Sequence, residues 1–264
     1  MKMKSQMNRW ALLLLALVLT ACQSPSIAPA APPAKSPGQL LFEEKCQTVA
    51  GEKIYRKVED VEGIVLLKVR PARGERELAD RMWPGAAFAT EFRADEYIKS
   101  FFWYEHLPEI PSIQTRGILN TEPSNLPGYR YVDVIDEKDG KRYRYTGRWE
   151  EPWQYDKSYL KGYIKFFLDK TPTTSPAPRY GVTYEDHVAP EERELGVASS
   201  TVKVIDLQTQ EVLGEMTRYA WGAVKPSYSN PSPWLTANQC PRVTWRFAQT
   251  RQFVDQILIP RKDK

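Results

Sequence analysis

The strongest constraint on what this 264-residue chain can fold into is the alternation between Tyr129 and Trp149. Residues 129–136 (YRYVDVID) and 141–149 (KRYRYTGRW) flank Glu137-Lys138-Asp139-Gly140, and an Asp-Gly pair supplies the positive φ that a tight hairpin turn needs. Successive strand side chains face opposite sides, so Tyr143, Tyr145 and Trp149 share one face while Arg142, Arg144 and Arg148 share the other. A second hairpin is expected between residues 201–206 and 211–221 across Leu207-Gln208-Thr209-Gln210, with Gln210 where such turns usually carry glycine.

The remaining periodicities are weaker. Residues 40–50 (LLFEEKCQTVA) read as a short helix ended by Gly51. Residues 54–58 and 64–70 read as strands around a polar turn at 59–63. The second strand begins with the apolar run Ile64-Val65-Leu66-Leu67, expected of a strand covered on both faces, and Pro71 stops it. Residues 72–128 read as irregular with one helix, and 91–104 fits helix or strand. Residues 247–259 fit a closing helix with Phe247, Val254 and Leu258 on one stripe and Pro260 at its end. The expected class is therefore α+β: a single domain over residues 40–264, an antiparallel sheet built from hairpins, and short helices at both ends.

The first 39 residues stand apart. Lys2, Lys4 and Arg9 precede about ten apolar residues, too few for the ~20 a membrane span requires. Leu19-Thr20-Ala21-Cys22 follows, and this arrangement resembles the lipobox of bacterial lipoproteins. The resemblance implies a signal peptide over 1–21, cleavage before Cys22, and acylation of Cys22 as a lipid-bilayer anchor. Residues 23–39 (QSPSIAPAAPPAKSPGQ) cannot bury a core, so 22–39 reads as a lipidated cysteine with an extended tether. Gln23 and Ser24 stand where the enteric sorting pattern carries aspartate for inner-membrane retention. In a Gram-negative cell, that pattern implies an outer-membrane anchor with the body facing the periplasm.

Cleavage changes the charge and the cysteine count. Of 37 Lys and Arg, three leave with residues 1–21, and none of the 33 Asp and Glu do, so 34 stand against 33 and the mature chain is +1 rather than +4. Nucleic acid is therefore not an expected partner. Of three cysteines, Cys22 is consumed, leaving Cys46 and Cys240 to form a disulfide in an oxidising compartment; the alternative is two buried thiols.

No sequence motif announces catalysis. The chain has no Gly-x-Ser-x-Gly, His-Glu-x-x-His or phosphate-binding glycine loop, and no cofactor motif. His106 and His187 are its two histidines, too few and too scattered for a metal site. His187 lies in a segment expected to be a surface loop. Glu59, Asp60 and Glu62, or Glu150 and Glu151, are carboxylate groupings of the kind glycoside hydrolysis uses, and equally of the kind that cover a solvated turn. The row Arg142, Arg144, Arg148 with Trp149 and Trp153 has two readings. One is a basic solvated face backed by an aromatic core; the other is a partner site, since Arg, Trp and Tyr are enriched at binding hot spots.

Residues 51–71 (GEKIYRKVEDVEGIVLLKVRP), with Cys240-Pro241 ahead of 250–258 (TRQFVDQIL), resemble a group of uncharacterised proteobacterial lipoproteins. In architecture alone the chain is similar to small lipoproteins that act as immunity proteins against secreted toxins. These likenesses imply a membrane-anchored, non-catalytic protein that binds another protein. An envelope hydrolase, a glycan-binding domain and a structural envelope component are the alternatives.

Overall fold

The computed structural model describes residues 34–102, 128–150, 165–222, 225–242 and 247–262. Cys22, the tether up to residue 33, His106, Glu151 and Trp153 lie outside the described residues, as do the side chains of Trp149 and Glu150. Ser36 to Lys264 forms one compact unit, distinct from Met1–Lys35.

Strands β1 (Gly51–Ile54), β3 (Gly63–Leu66), β4 (Tyr131–Ile135), β5 (Arg142–Glu150), β6 (Lys165–Pro172), β7 (Tyr180–His187), β8 (Val197–Asp206), β9 (Glu211–Trp221) and β10 (Asn238–Cys240) build one sheet. Its order is β1-β9-β8-β7-β3-β4-β5-β6, with β10 also on β9. β1 covers residues 214–217 of β9 and β10 covers 219–221, so the two short strands share β9. Two further strands, β2 (Val58–Val61) and β11 (Leu258–Pro260), pair separately.

The sheet is mostly antiparallel, but not wholly. β3 runs parallel to both of its neighbours, β4 and β7, and β11 runs parallel to β2. An all-antiparallel sheet was the expectation, and β3 corrects it. A short strand buried on both faces can be inserted between two hairpin systems, because Gly63, Ile64, Val65 and Leu66 place no charged group on either side. Ile64 and Leu66 face the main core; Gly63 and Val65 face the opposite side, where the Tyr131 ring lies over Gly63.

Helices are short and distributed along the chain, not confined to its two ends. They are α1 (Pro37–Thr48), α2 (Glu75–Ala79), α3 (Ala94–Lys99), α4 (Pro190–Glu194) and α5 (Gln249–Val254). α1 starts earlier than its apolar residues imply, because Pro37 occupies the first helical position and the Ser36 hydroxyl accepts the Gln39 N–H at 3.2 Å. The tether assigned to residues 22–39 therefore gives up its last residues to a helix. The polar stretch at 59–63 is not a simple turn, since β2 occupies residues 58–61.

The closing helix is shorter than its stripe. α5 ends at Val254, and Leu258 turns into β11 beside Val58. Outside bonds divert the backbone there: Val58 N–H donates to the Ile257 carbonyl at 2.7 Å, and the Tyr129 hydroxyl donates to the Leu258 carbonyl at 2.6 Å. Phe253, Val254, Ile257 and Leu258 are all fully buried nonetheless. Burying each such side chain is worth about 1.5–3 kcal/mol, whichever backbone shape achieves it.

The main core lies on the face carrying Val132, Val134, Val182, Val202, Val204 and Met216. A 3-10 turn at Pro84–Phe88 lies across β7, β8 and β9 on this face. Gly85, Ala86 and Ala87 are small enough to bring its backbone close to the sheet, and Phe88 projects from it fully buried. No helix among the described residues is long and apolar enough to cross a membrane.

Candidate functional site

The arginine row of β5 is tied down within the molecule. Asp133, in register with Arg144 and fully buried, accepts Arg144 Nε at 2.8 Å, Arg144 Nη2 at 3.1 Å and Arg142 Nη1 at 2.9 Å. The Arg144 guanidinium also stacks on Tyr131 at 3.9 Å. Arg148 pairs with Asp169, and both remain about half exposed. Arg142 donates to the Ser175 carbonyl and Arg144 to that of Pro176 at 3.4 Å. This face is therefore not a set of solvated cations. It is a fixed lattice of planar guanidiniums in which Arg142 and Arg144 keep 18% and 23% of their side-chain exposure.

Cys46 of α1 and Cys240 of β10 are joined, with Cα atoms 5.8 Å apart across a sequence separation of 194. Phe42 stacks on Trp221 of β9 at 6.2 Å beside the bond, and Lys45 meets Glu192 at 3.6 Å. His187 lies not in a loop but at the end of β7. Its Nε2 is 3.0 Å from Thr201 Oγ1, which is 3.0 Å from Thr217 Oγ1, a polar chain across three strands. Glu62 pairs with Arg130 and Arg261, while Glu59 and Asp60 are exposed. No grouping of three or more metal-ligating residues occurs among the described residues.

A second charged constellation lies in the core and was not anticipated. Asp186, Ser200 and Arg218 stand in register on β7, β8 and β9 and point to the same face. Above them is the Pro84–Phe88 turn. The Arg70 guanidinium lies 4.0 Å from the Phe88 ring and 4.1 Å from Tyr184, and the Arg218 guanidinium lies 5.2 Å from Phe88. Arg193 of α4 donates to the His187 carbonyl at 2.9 Å and the Pro84 carbonyl at 3.4 Å, with Trp234 5.6 Å away. Arg70, Arg193 and Arg218 have no solvent exposure at all.

At salt-bridge distance, negative charge is scarcer there than positive. Arg70 Nη1 meets Asp186 at 3.3 Å and its Nε meets Glu91 at 3.7 Å. Glu91 is shared, because its carboxylate also accepts the Thr250 N–H at 3.0 Å and hydroxyl at 2.8 Å. Burial pushes the Glu91 carboxyl above its ordinary pKa, against the pull of Arg70. Burial likewise lowers Arg193 and Arg218 to about 10, which leaves both charged at neutral pH. Arg93, bonded to the Gly85 and Phe88 carbonyls at 3.2 and 2.8 Å, is also lowered to about 10 by burial.

Several donors of this cluster find no acceptor among the described residues: Arg70 Nη2, Nε and Nη1 of both Arg193 and Arg218, and Ser200 Oγ. An unpaired buried donor costs about 1–3 kcal/mol, more when charged. The net stability of a domain is only about 5–15 kcal/mol. A cluster of this size left unanswered would consume most of that margin.

The β5 row carries a sequence signal in its alternation, whereas the core cluster carries a fainter one. In β9, period two places Arg218 between Met216 and Ala220 on the buried face, and a charge on an apolar face is the mark of an internal role. Arg70 and Arg193 come from a strand exit and a five-residue helix, where no periodicity exists to read.

Fold and site together define a disulfide-linked α+β protein with a mixed sheet and an arginine-rich interior. No known protein family matches the chain, and no curated protein or solved structure is detectably similar to it.

Proposed function

We propose that this chain is a non-catalytic binding protein of the bacterial envelope, held at a lipid bilayer through acylated Cys22 and engaging another protein through the β5 face that carries Arg142, Arg144 and Arg148. The supporting observation is the lattice around Asp133. Arg142 and Arg144 are partly exposed yet already fixed by a buried carboxylate, so a partner that contacts them meets guanidiniums whose rotamer entropy is largely spent. Arg148 extends the row along β5, with its guanidinium 5.8 Å from the Phe167 ring. Planar, pre-ordered arginine beside aromatic rings is the composition of interface hot spots. An acidic protein surface is the matching chemistry, and neutralising a toxin delivered into the envelope is the specific form of binding that an anchored immunity protein would serve. In a Gram-negative cell the anchor is assigned to the outer membrane, with the body in the periplasm.

The test is crosslinking in intact membranes followed by capture of the full chain. A protein captured by the wild type, lost with Arg148→Glu and retained with Lys53→Glu on β1, at the opposite end of the sheet order, supports the reading; capture indifferent to Arg148→Glu removes it. Cys22→Ala is expected to release the protein from the membrane fraction, and continued fractionation with membrane would refute the anchor.

A further inference from the structure

The core arginine cluster differs from the β5 row in one respect: its guanidiniums are fully buried and keep unpaired donors. At salt-bridge distance the cluster holds two carboxylates, Asp186 and Glu91, both engaged by Arg70, while Asp186, Glu192 and Asp80 act on Arg193 and Glu91 and Glu52 on Arg218 only from farther away. Among the described residues neither Arg193 nor Arg218 has a carboxylate within salt-bridge distance. Arg218 Nη2 is satisfied by the neutral Gln239 amide oxygen at 2.8 Å, leaving its Nε and Nη1.

The free donors lie around one short segment. Arg193 touches the turn at Pro84, and Arg70 and Arg218 touch it at Phe88. Four residues of 3-10 turn advance about 8 Å. Ser200, with its unpaired Oγ, stands in the cross-strand row between Asp186, which holds Arg70, and Arg218. Neighbouring strands are about 4.8 Å apart, so one small molecule over Ser200 is within reach of both flanking positions. Water would satisfy some donors without supplying a counter-charge. A tetrahedral oxyanion does both, and guanidinium forks match its oxygens.

We propose that Arg70, Arg218 and Ser200, flanked by Arg193, form an internal site for one phosphate or sulfate group, held between β7–β9 and the Pro84–Phe88 turn. Complete burial of the three arginines limits the occupant to inorganic phosphate, sulfate or a small molecule presenting such a group. The site is separate from the β5 face, and its failure would leave the protein-binding reading untouched.

The experiment uses the full chain, purified in chloride buffers free of phosphate and sulfate. Ion chromatography and mass spectrometry of the denatured protein identify what is retained, and melting curves in phosphate, sulfate and chloride at equal ionic strength test rebinding. The expected result is either about one retained oxyanion per chain or a melting temperature raised by phosphate or sulfate over chloride. Free ions and a phosphorylated small molecule are told apart by mass, and either supports the site. Ser200→Ala removes no charge and leaves no new orphan, so it should fold; it is expected to weaken binding about tenfold, the worth of one hydrogen bond. Arg218→Lys is expected to abolish binding. The proposal is overturned by a wild type that retains nothing and melts identically in all three salts, or by an oxyanion held equally well by Ser200→Ala and Arg218→Lys.

Discussion

Arg144 meets Asp133 through two parallel hydrogen bonds, Nε to Oδ1 at 2.8 Å and Nη2 to Oδ2 at 3.1 Å, with the carboxylate wholly excluded from solvent. Arg142 completes the arrangement from the same strand. Removing the shared anion strands two cations, whereas removing one cation leaves the anion paired. Asp133→Ala is therefore expected to destabilise the protein by about 3 kcal/mol, and Arg142→Ala by about 1 kcal/mol. Urea unfolding of the two variants checks the order; equal losses would show that Asp133 is not the hub.

The Cys46–Cys240 bond closes a loop across a sequence separation of 194. The chain-entropy relation assigns about 5 kcal/mol to so long a loop, an upper figure for real proteins. Reduction, or Cys46→Ser with Cys240→Ser, should lower the urea midpoint substantially. The oxidised and reduced forms should also separate on gels. Two titratable thiols in the unreduced, unfolded chain would contradict the bond.

Asp206 gives the fold an acid-sensitive point. It accepts Arg179 through Nε and Nη2, Arg56 Nη2 at 3.1 Å and the Gln208 N–H at 3.1 Å, and these bonds, Arg179's foremost, hold its carboxyl far below the ordinary 3.8. A carboxylate depressed in the folded state favours folding wherever the unfolded chain is also ionised. That contribution is complete above the unfolded value and is lost as pH falls below it. The melting temperature of the wild type should fall steeply below about pH 4, and that of Asp206→Asn should start lower and fall less. Parallel curves for the two proteins would rule the mechanism out.

Gln210 closes the β8–β9 hairpin at φ +62, donating its N–H to the Asp206 carbonyl at 2.7 Å. Its side-chain Nε2 also bonds the Leu207 carbonyl at 2.8 Å, which helps a non-glycine residue hold a left-handed conformation. Gln210→Gly should be neutral or stabilising by about 0.5 kcal/mol, and Gln210→Val should cost at least about 1 kcal/mol. A tolerated valine would mean that the turn is free to change type.

Much of the coarse plan was legible because it rests on short-range pattern. Hairpin alternation and a doubly buried apolar run mark a mostly antiparallel sheet with few helices, and the cysteine pair follows from counting. What escaped was set by distant partners. Nothing within Gly63–Leu66 says whether its neighbours run parallel or antiparallel, since an apolar run buries equally well beside either. The stripe at 247–259 reads as helix because 3.6-residue spacing does not reveal that Tyr129 and Val58 will claim the backbone near Leu258. At the β5 face, alternation separates arginines from tyrosines, but the buried Asp133 that changes the arginines' meaning lies across the turn. The Arg70–Arg193–Arg218 cluster combines a strand exit, a short helix and a strand centre, and only the last had any periodicity to betray it.

α1 follows directly on the segment leading from the chain's N-terminal end, and Cys46 fastens it to β10, which is hydrogen-bonded along β9. Tension arriving through Ser36 therefore has a covalent load path across α1 and into the sheet's frame. The first helix cannot peel away while the thiols stay oxidised. Under reduction the same pull would fall on noncovalent contacts, among them Gly38 against Leu195 and Trp221, the Phe42–Trp221 stack and the Lys45–Glu192 pair, so the redox state of one bond decides whether the helix is held by a covalent link or by packing.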